Sequence, residues 1–189
     1  MEFELLGWPP DGPTLRLDHR EFAYAGKFVM SATGKAVARD DGVVGAVAFD
    51  EDRTDPTRLR LRYVTVRADR RGQGIGPRLL QFTAERARER DYADVRIAAN
   101  NPFAYVACYR AGFVFTGEET GLAELVLAYR PDRNTDGTGD APTGEGTGKY
   151  QDGLGRYRDR DLSAVEESFL DAYRGRDPPP VVDDPGARD

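Results

Sequence analysis

The chain has 189 residues, 39% of them hydrophobic and 32% charged, which is enough apolar material for one good core and too little for two. A net charge of −6 argues against a general nucleic-acid surface, and no apolar run approaches membrane-spanning length, so neither nucleic acid nor membrane is an expected partner. One cysteine, Cys108, and one histidine, His19, exclude an intrachain disulfide and a thiolate or imidazole metal cluster, so no metal is expected.

At the N-terminus Glu2 and Glu4 stand where an export signal would carry positive charge, and the expected compartment is the cytoplasm. Lys27, Lys35 and Lys149 are the only lysines, an arginine and aspartate bias that reads either as salt adaptation or as plain codon bias.

In chain order, Glu2 to Trp8 reads as a strand that Pro9-Pro10-Asp11-Gly12-Pro13 breaks. Residues 16–28 are ambiguous, with Leu17, Phe22, Ala25 and Phe28 spaced to line short helical turns. Phe28 to Arg39 and Val43 to Phe49 read as an antiparallel hairpin around Asp41-Gly42. After a loop over residues 50–57, Leu59, Leu61 and Tyr63 alternate with Arg58, Arg60 and Arg62 and run into Val64 and Val66, the period of a strand. The three arginines share a face that suits either an acidic substrate or the many carboxylates of the chain.

Next come Arg71-Gly72-Gln73-Gly74-Ile75-Gly76-Pro77, where three alternating glycines precede a helix with Leu80, Ala84 and Ala87 on its apolar side. A helix start offers unpaired N–H groups and the positive end of the dipole, and glycine removes the Cβ atoms that would keep a diphosphate away. The spacing fits neither a dinucleotide fingerprint nor a Walker loop, since Pro77 falls in the last fingerprint position and no Lys-Ser/Thr pair follows. Asp94 to Ala99 reads as a further strand, Asn100-Asn101-Pro102-Phe103-Ala104 opens a short helix that ends at Gly112-Phe113, and Leu122 to Tyr129 supplies a last strand.

Arg71, Gly74 and Gly76 after a valine-rich strand resemble motif A, Arg/Gln-x-x-Gly-x-Gly/Ala, of the GNAT superfamily of acyl-CoA-dependent N-acetyltransferases. The segment from Asn101 to Gly112-Phe113 is similar to a second signature of that family at its usual distance. The resemblance implies an α/β (α+β) fold, a mixed, mostly antiparallel sheet flanked by helices, with acetyl-CoA as cosubstrate. Backbone groups at Val64, Thr65 and Val66 would meet the pantetheine arm, the Arg71, Gly72, Gln73, Gly74, Ile75, Gly76 and Pro77 loop would hold the pyrophosphate, and Asn101 would border the cofactor. Residues 16–30 would wall the acceptor site, and a small-molecule or peptide amine would attack the thioester directly in a ternary complex. The family's usual tyrosine acid stands four residues before Gly-Phe, where this chain has Cys108; Tyr109 follows one residue late, about 100° around a helix. Tyr109, Cys108 in its place, or no side-chain acid are the readings open, and the general base is unassigned among Asp50, Glu51, Glu118, Glu119 and Glu124. Asn101 also reads as a plain helix N-cap and Cys108 as a small buried hydrophobe. The alternative from another class is a non-catalytic acyl-CoA-binding sensor or interaction module.

Composition divides the chain into a 1–130 acetyltransferase-like domain, a Gly/Thr/Asp-rich linker over 131–150 and a tail over 151–189. In the tail, Ser163 and Glu166 have capping-box spacing, and Leu162, Val165, Phe169, Leu170 and Tyr173 form a stripe on a helix over about 161–175. Such a helix docks either on its own domain or on a second copy, giving a homodimer.

Overall fold

The alternating and amphipathic patterns become seven strands and four α-helices among the described residues, 1–131 and 144–183, in a computed structural model of the chain. They fall into two compact units, Met1–Arg96 with residues 182–183, and Ile97–Val181.

In the first unit β1 (Glu2–Gly7), β2 (Gly34–Arg39), β3 (Val43–Glu51) and β4 (Arg58–Val66) are neighbours in chain order, each antiparallel to the next. The β2–β3 turn needs left-handed backbone at Asp41 and Gly42, φ 51° and 110°, as the Asp-Gly pair suggests. Strand β2 starts six residues later than the apolar run implies. Residues 29–33 form a turn, and the ammonium of the fully buried Lys35 donates to the carbonyls of Met30 and Thr33, both at 2.6 Å, and to Thr33 Oγ1 at 2.8 Å. Helix α1 (Ile75–Glu89) packs on β3 and β4, burying Ile75, Leu79, Leu80, Ala84 and Ala87. One side of the sheet holds Ala38, Val44 and Ile75 with Phe3 and Val66; another cluster joins Phe28, Val37, Ala46 and Ala48 with Leu15, Leu17 and Tyr63. Residues 16–28 supply that cover as turns and a single 3-10 turn, Ala25–Lys27, with Phe22, Ala25 and Phe28 buried.

Strand β5 (Asp94–Ala99) leads into the second unit, where β5, β7 and β6 are neighbours in that order. Here α2 (Pro102–Arg110) is followed by β6 (Phe113–Glu119), antiparallel to β7 (Leu125–Tyr129). Strand β6 is a correction to the single last strand expected: only Phe113, Val114 and Phe115 carry apolar side chains before Thr-Gly-Glu-Glu, too few to show an alternation.

The expected linker needs correction in part. Residues 132–143 lie outside the described residues, but α3 (Gly144–Arg158) already includes 144–150. Its five glycines suggest flexibility, while Tyr150, Leu154 and Tyr157, four and three residues apart, are each at most 1% exposed. Gly153 faces α2 so closely that a Cβ would lie 2.0 Å from Tyr105 Oη. Helix α4 (Ala164–Ala172) is shorter than expected but starts with the capping box of Ser163 and Glu166. It docks on α2 and α3 of its own chain, with Leu170 fully buried and Phe169 4.6 Å from Phe103.

Candidate functional site

The register of β4 determines which backbone groups a ligand could use. Gly45 opposes Val66, Ala46 opposes Thr65 and Val47 opposes Val64, and the Arg67 N–H donates to the Val44 carbonyl at 2.9 Å. In an antiparallel pair the residues that exchange hydrogen bonds alternate. Thr65 therefore spends its N–H and C=O on Ala46, and those of Val64 and Val66 point away from β3. Arg71 Nε donates to the outward Val66 carbonyl at 3.3 Å. Upstream the register slips between Ala48 and Phe49, so Arg62 is the extra residue of a bulge, a feature that bends a strand.

Where β4 ends, Gly72 and Gly74 adopt left-handed backbone, φ 78° and 74°, which costs glycine nothing. Gly74 is the N-cap of α1 and offers no side-chain cap; the first turn carries no acidic residue, and Pro77 sits within it. Gly76 differs, because a Cβ there would meet only Val66 Cγ2, at an ordinary 3.6 Å. The fold does not demand glycine at that position, so its bareness suits the approach of a ligand. Arg70 braces the loop, donating to Gln73 Oε1 at 3.1 Å and to Asp40 at 2.6 Å. That hydrogen bond from Arg70 holds the Asp40 carboxyl below its ordinary pKa. A glycine-rich loop at an uncapped helix start, with arginines about it, fits a diphosphate.

The other site residues belong to the second unit. Asn101 is the N-cap of α2, its side-chain oxygen accepting from the Ala104 N–H at 2.8 Å, which is the bland role considered for it. Cys108 is 2% exposed, and burial pushes its thiol up to about 12. Tyr109 is 1% exposed, and its hydroxyl accepts from the Phe115 N–H at 3.1 Å with the Tyr105 hydroxyl 3.4 Å away. Tyr105, Tyr109, Tyr150 and Tyr157 pack ring against ring, with centroids 4.7–5.9 Å apart in the close pairs.

Most carboxylates considered as bases are engaged. Asp50 pairs with Arg60 and Arg62, Glu51 accepts from Tyr92, Glu119 from Arg156 and Glu124 from Thr120. The arginine face of β4 is therefore a partner for aspartates, with Arg58 also bridging to Asp55 and Asp94. Sequence reasoning missed Arg70 and Tyr157. The Tyr157 hydroxyl donates at 2.8 Å to the carbonyl of Ala99, the last residue of β5, and only the spacing of Tyr150, Leu154 and Tyr157 could have hinted at it. No group of three or more His, Cys, Asp or Glu side chains among the described residues could hold a metal.

A strand with outward backbone groups thus runs into a glycine loop at an uncapped helix start. The model of the acetyltransferase (GNAT) family matches residues 2–113, more than half of the chain, and the chain belongs to that family. It is similar in structure to an IAA acetyltransferase from Bacillus cereus, at 23% identity over 51% of this chain and 77% of that one, TM-score 0.42. It is similar also to a PaiA N-acetyltransferase from Thermoplasma acidophilum in complex with coenzyme A, at 15% identity over 51% and 59%, TM-score 0.44. A nourseothricin acetyltransferase shares 26% identity over 51% and 63%, TM-score 0.42. Among curated proteins none matches significantly.

Proposed function

We propose that this chain transfers an acetyl group from acetyl-CoA to a primary amine of a small molecule or peptide, by direct attack in a ternary complex. The observation that carries this reading is the conjunction in the first unit of outward N–H and C=O groups at Val64 and Val66 with the uncapped glycine start of α1. Residues 71–77 would hold the pyrophosphate, and the outward groups of β4 would hold the pantetheine amides in the manner of strand addition. An N–H there would stabilise the oxyanion as a neutral amine attacks the thioester carbon. A C–N bond forms and the C–S bond breaks; the nitrogen gives up one proton and the departing thiolate takes one, so no acyl-enzyme is required.

Burial of both acid candidates supports departure of the thiolate without a side-chain acid. The Tyr109 oxygen already accepts the Phe115 N–H, and the Cys108 thiol is enclosed. Release of free coenzyme A from acetyl-CoA, followed across amines, peptides and aminoglycosides, tests the reading. Turnover is expected with at least one class, with Tyr109→Phe and Cys108→Ala each lowering it less than about tenfold. A loss of two orders of magnitude in Tyr109→Phe would restore the tyrosine as acid. Binding of acetyl-CoA with no release for any acceptor would favour the non-catalytic binding module.

A further inference from the structure

On the side of β4 opposite α1, a single side-chain arrangement is left unused by the reading above. Tyr63 and Thr65 share this side with Ala46 and Ala48, their register partners, and residues 16–28 lie across it, tied to the strand end by the Ala68 N–H donating to Glu21 O at 2.9 Å. Tyr24 within this cover, and Val29 and Met30 directly after it, are exposed large apolar side chains. The Tyr24 ring centroid is 6.2 Å from that of Tyr63, and Tyr24 itself is held in left-handed backbone, φ 59°, a conformation a bulky residue rarely adopts.

Charge and polarity add two further observations. The Lys27 ammonium stands 5.7 Å over the Tyr63 ring and has no ion-pair partner among the described residues, whereas Arg20, Arg67 and Arg70 of the same unit are each paired with an aspartate. The hydroxyl of Thr65, a residue 4% exposed, has no hydrogen-bond partner among the described residues. A buried hydroxyl left so is costly, and it marks a polar demand on this side that the protein does not meet. Two rings and an exposed cation whose only contact among the described residues is with one of them, next to the strand residues that would hold the thioester, describe a ligand with an aromatic or apolar body and an anionic group.

We infer that the acceptor is a primary amine of the amino-acid kind, carrying a carboxylate that pairs with Lys27 and an aromatic or apolar side chain that packs on Tyr24 and Tyr63. This rests on the acetyl-transfer reading and names its substrate class. A polycationic acceptor is disfavoured, because Lys27 repels it.

The test compares coenzyme A release with L-phenylalanine, 2-phenylethylamine, which lacks the carboxylate, and spermidine. In the wild-type chain kcat/KM should favour L-phenylalanine over 2-phenylethylamine by about fivefold, the discrimination of one exposed ion pair, and over spermidine by at least about tenfold. In Lys27→Gln the first ratio should fall to about one, with the acetyl-CoA-induced rise in melting temperature retained as evidence of folding. Tyr24→Ala should raise KM for both aromatic amines. A ratio near one in the wild type, a ratio unmoved by Lys27→Gln, or preference for spermidine would overturn the substrate class while leaving acetyl transfer standing. Binding of acetyl-CoA with no release for any amine would overturn both.

Discussion

At the scale of single residues, Lys35 shows how the fold disposes of a charge. It is fully buried and meets no carboxylate among the described residues; three oxygens, two of them the backbone carbonyls of Met30 and Thr33, accept hydrogen bonds from it. Lys35→Met should leave those carbonyls unpaired and destabilise the protein by about 2–4 kcal/mol. Burial lowers the pKa of this lysine from its ordinary 10.5, so in the window below 10.5 the unfolded chain binds more protons than the folded one. The contribution of Lys35 to stability then rises with pH. The gap between wild type and Lys35→Met in urea denaturation should widen from pH 7 to pH 10, and a gap that narrows would contradict the assignment.

At the scale of elements, the parts with their own local signal were legible and those resting on distant partners were not. Strands β4 and β5 and the start of α1 announce themselves by alternation and by glycines whose left-handed backbone the turn requires. The capping box of α4 and the Asn101 cap of α2 are equally local. Helix α3 is the opposite case. Glycines at 144, 146 and 148 read as linker, yet they open a helix in which Gly153 is small so that Tyr105 can approach, and Tyr150 and Tyr157 complete a tyrosine cluster begun on α2. The same burial was not visible for the site, because whether Tyr109 faces a ligand or a core depends on α3 and β6. Losing α3 and α4 removes Tyr150, Leu154, Tyr157 and Leu170 from the second unit, each worth about 1.5–3 kcal/mol when buried. That sum rivals the net stability of an ordinary domain. A chain ending at Arg130 should therefore aggregate or lose cooperative melting by circular dichroism and size-exclusion chromatography; an unchanged melting temperature would show the C-terminal helices to be an appendage.

At the scale of the whole molecule, the proposed acetyl-CoA site rests on family membership, a register that turns Val64 and Val66 outward, and an uncapped helix start. Gly76 gives direct access to that proposal, since the fold leaves ordinary room for a side chain there. An aspartate in the first turn of α1 should even suit the helix dipole, so Gly76→Asp should stay folded with a melting temperature within a few degrees of wild type. The same carboxylate would stand against a pyrophosphate. Titration calorimetry with acetyl-CoA should show saturable one-to-one binding to the wild-type chain and at least a hundredfold weaker binding, a loss of about 2.7 kcal/mol, to folded Gly76→Asp. Absence of binding to the wild type, or equal affinity in the two proteins, would contradict the account.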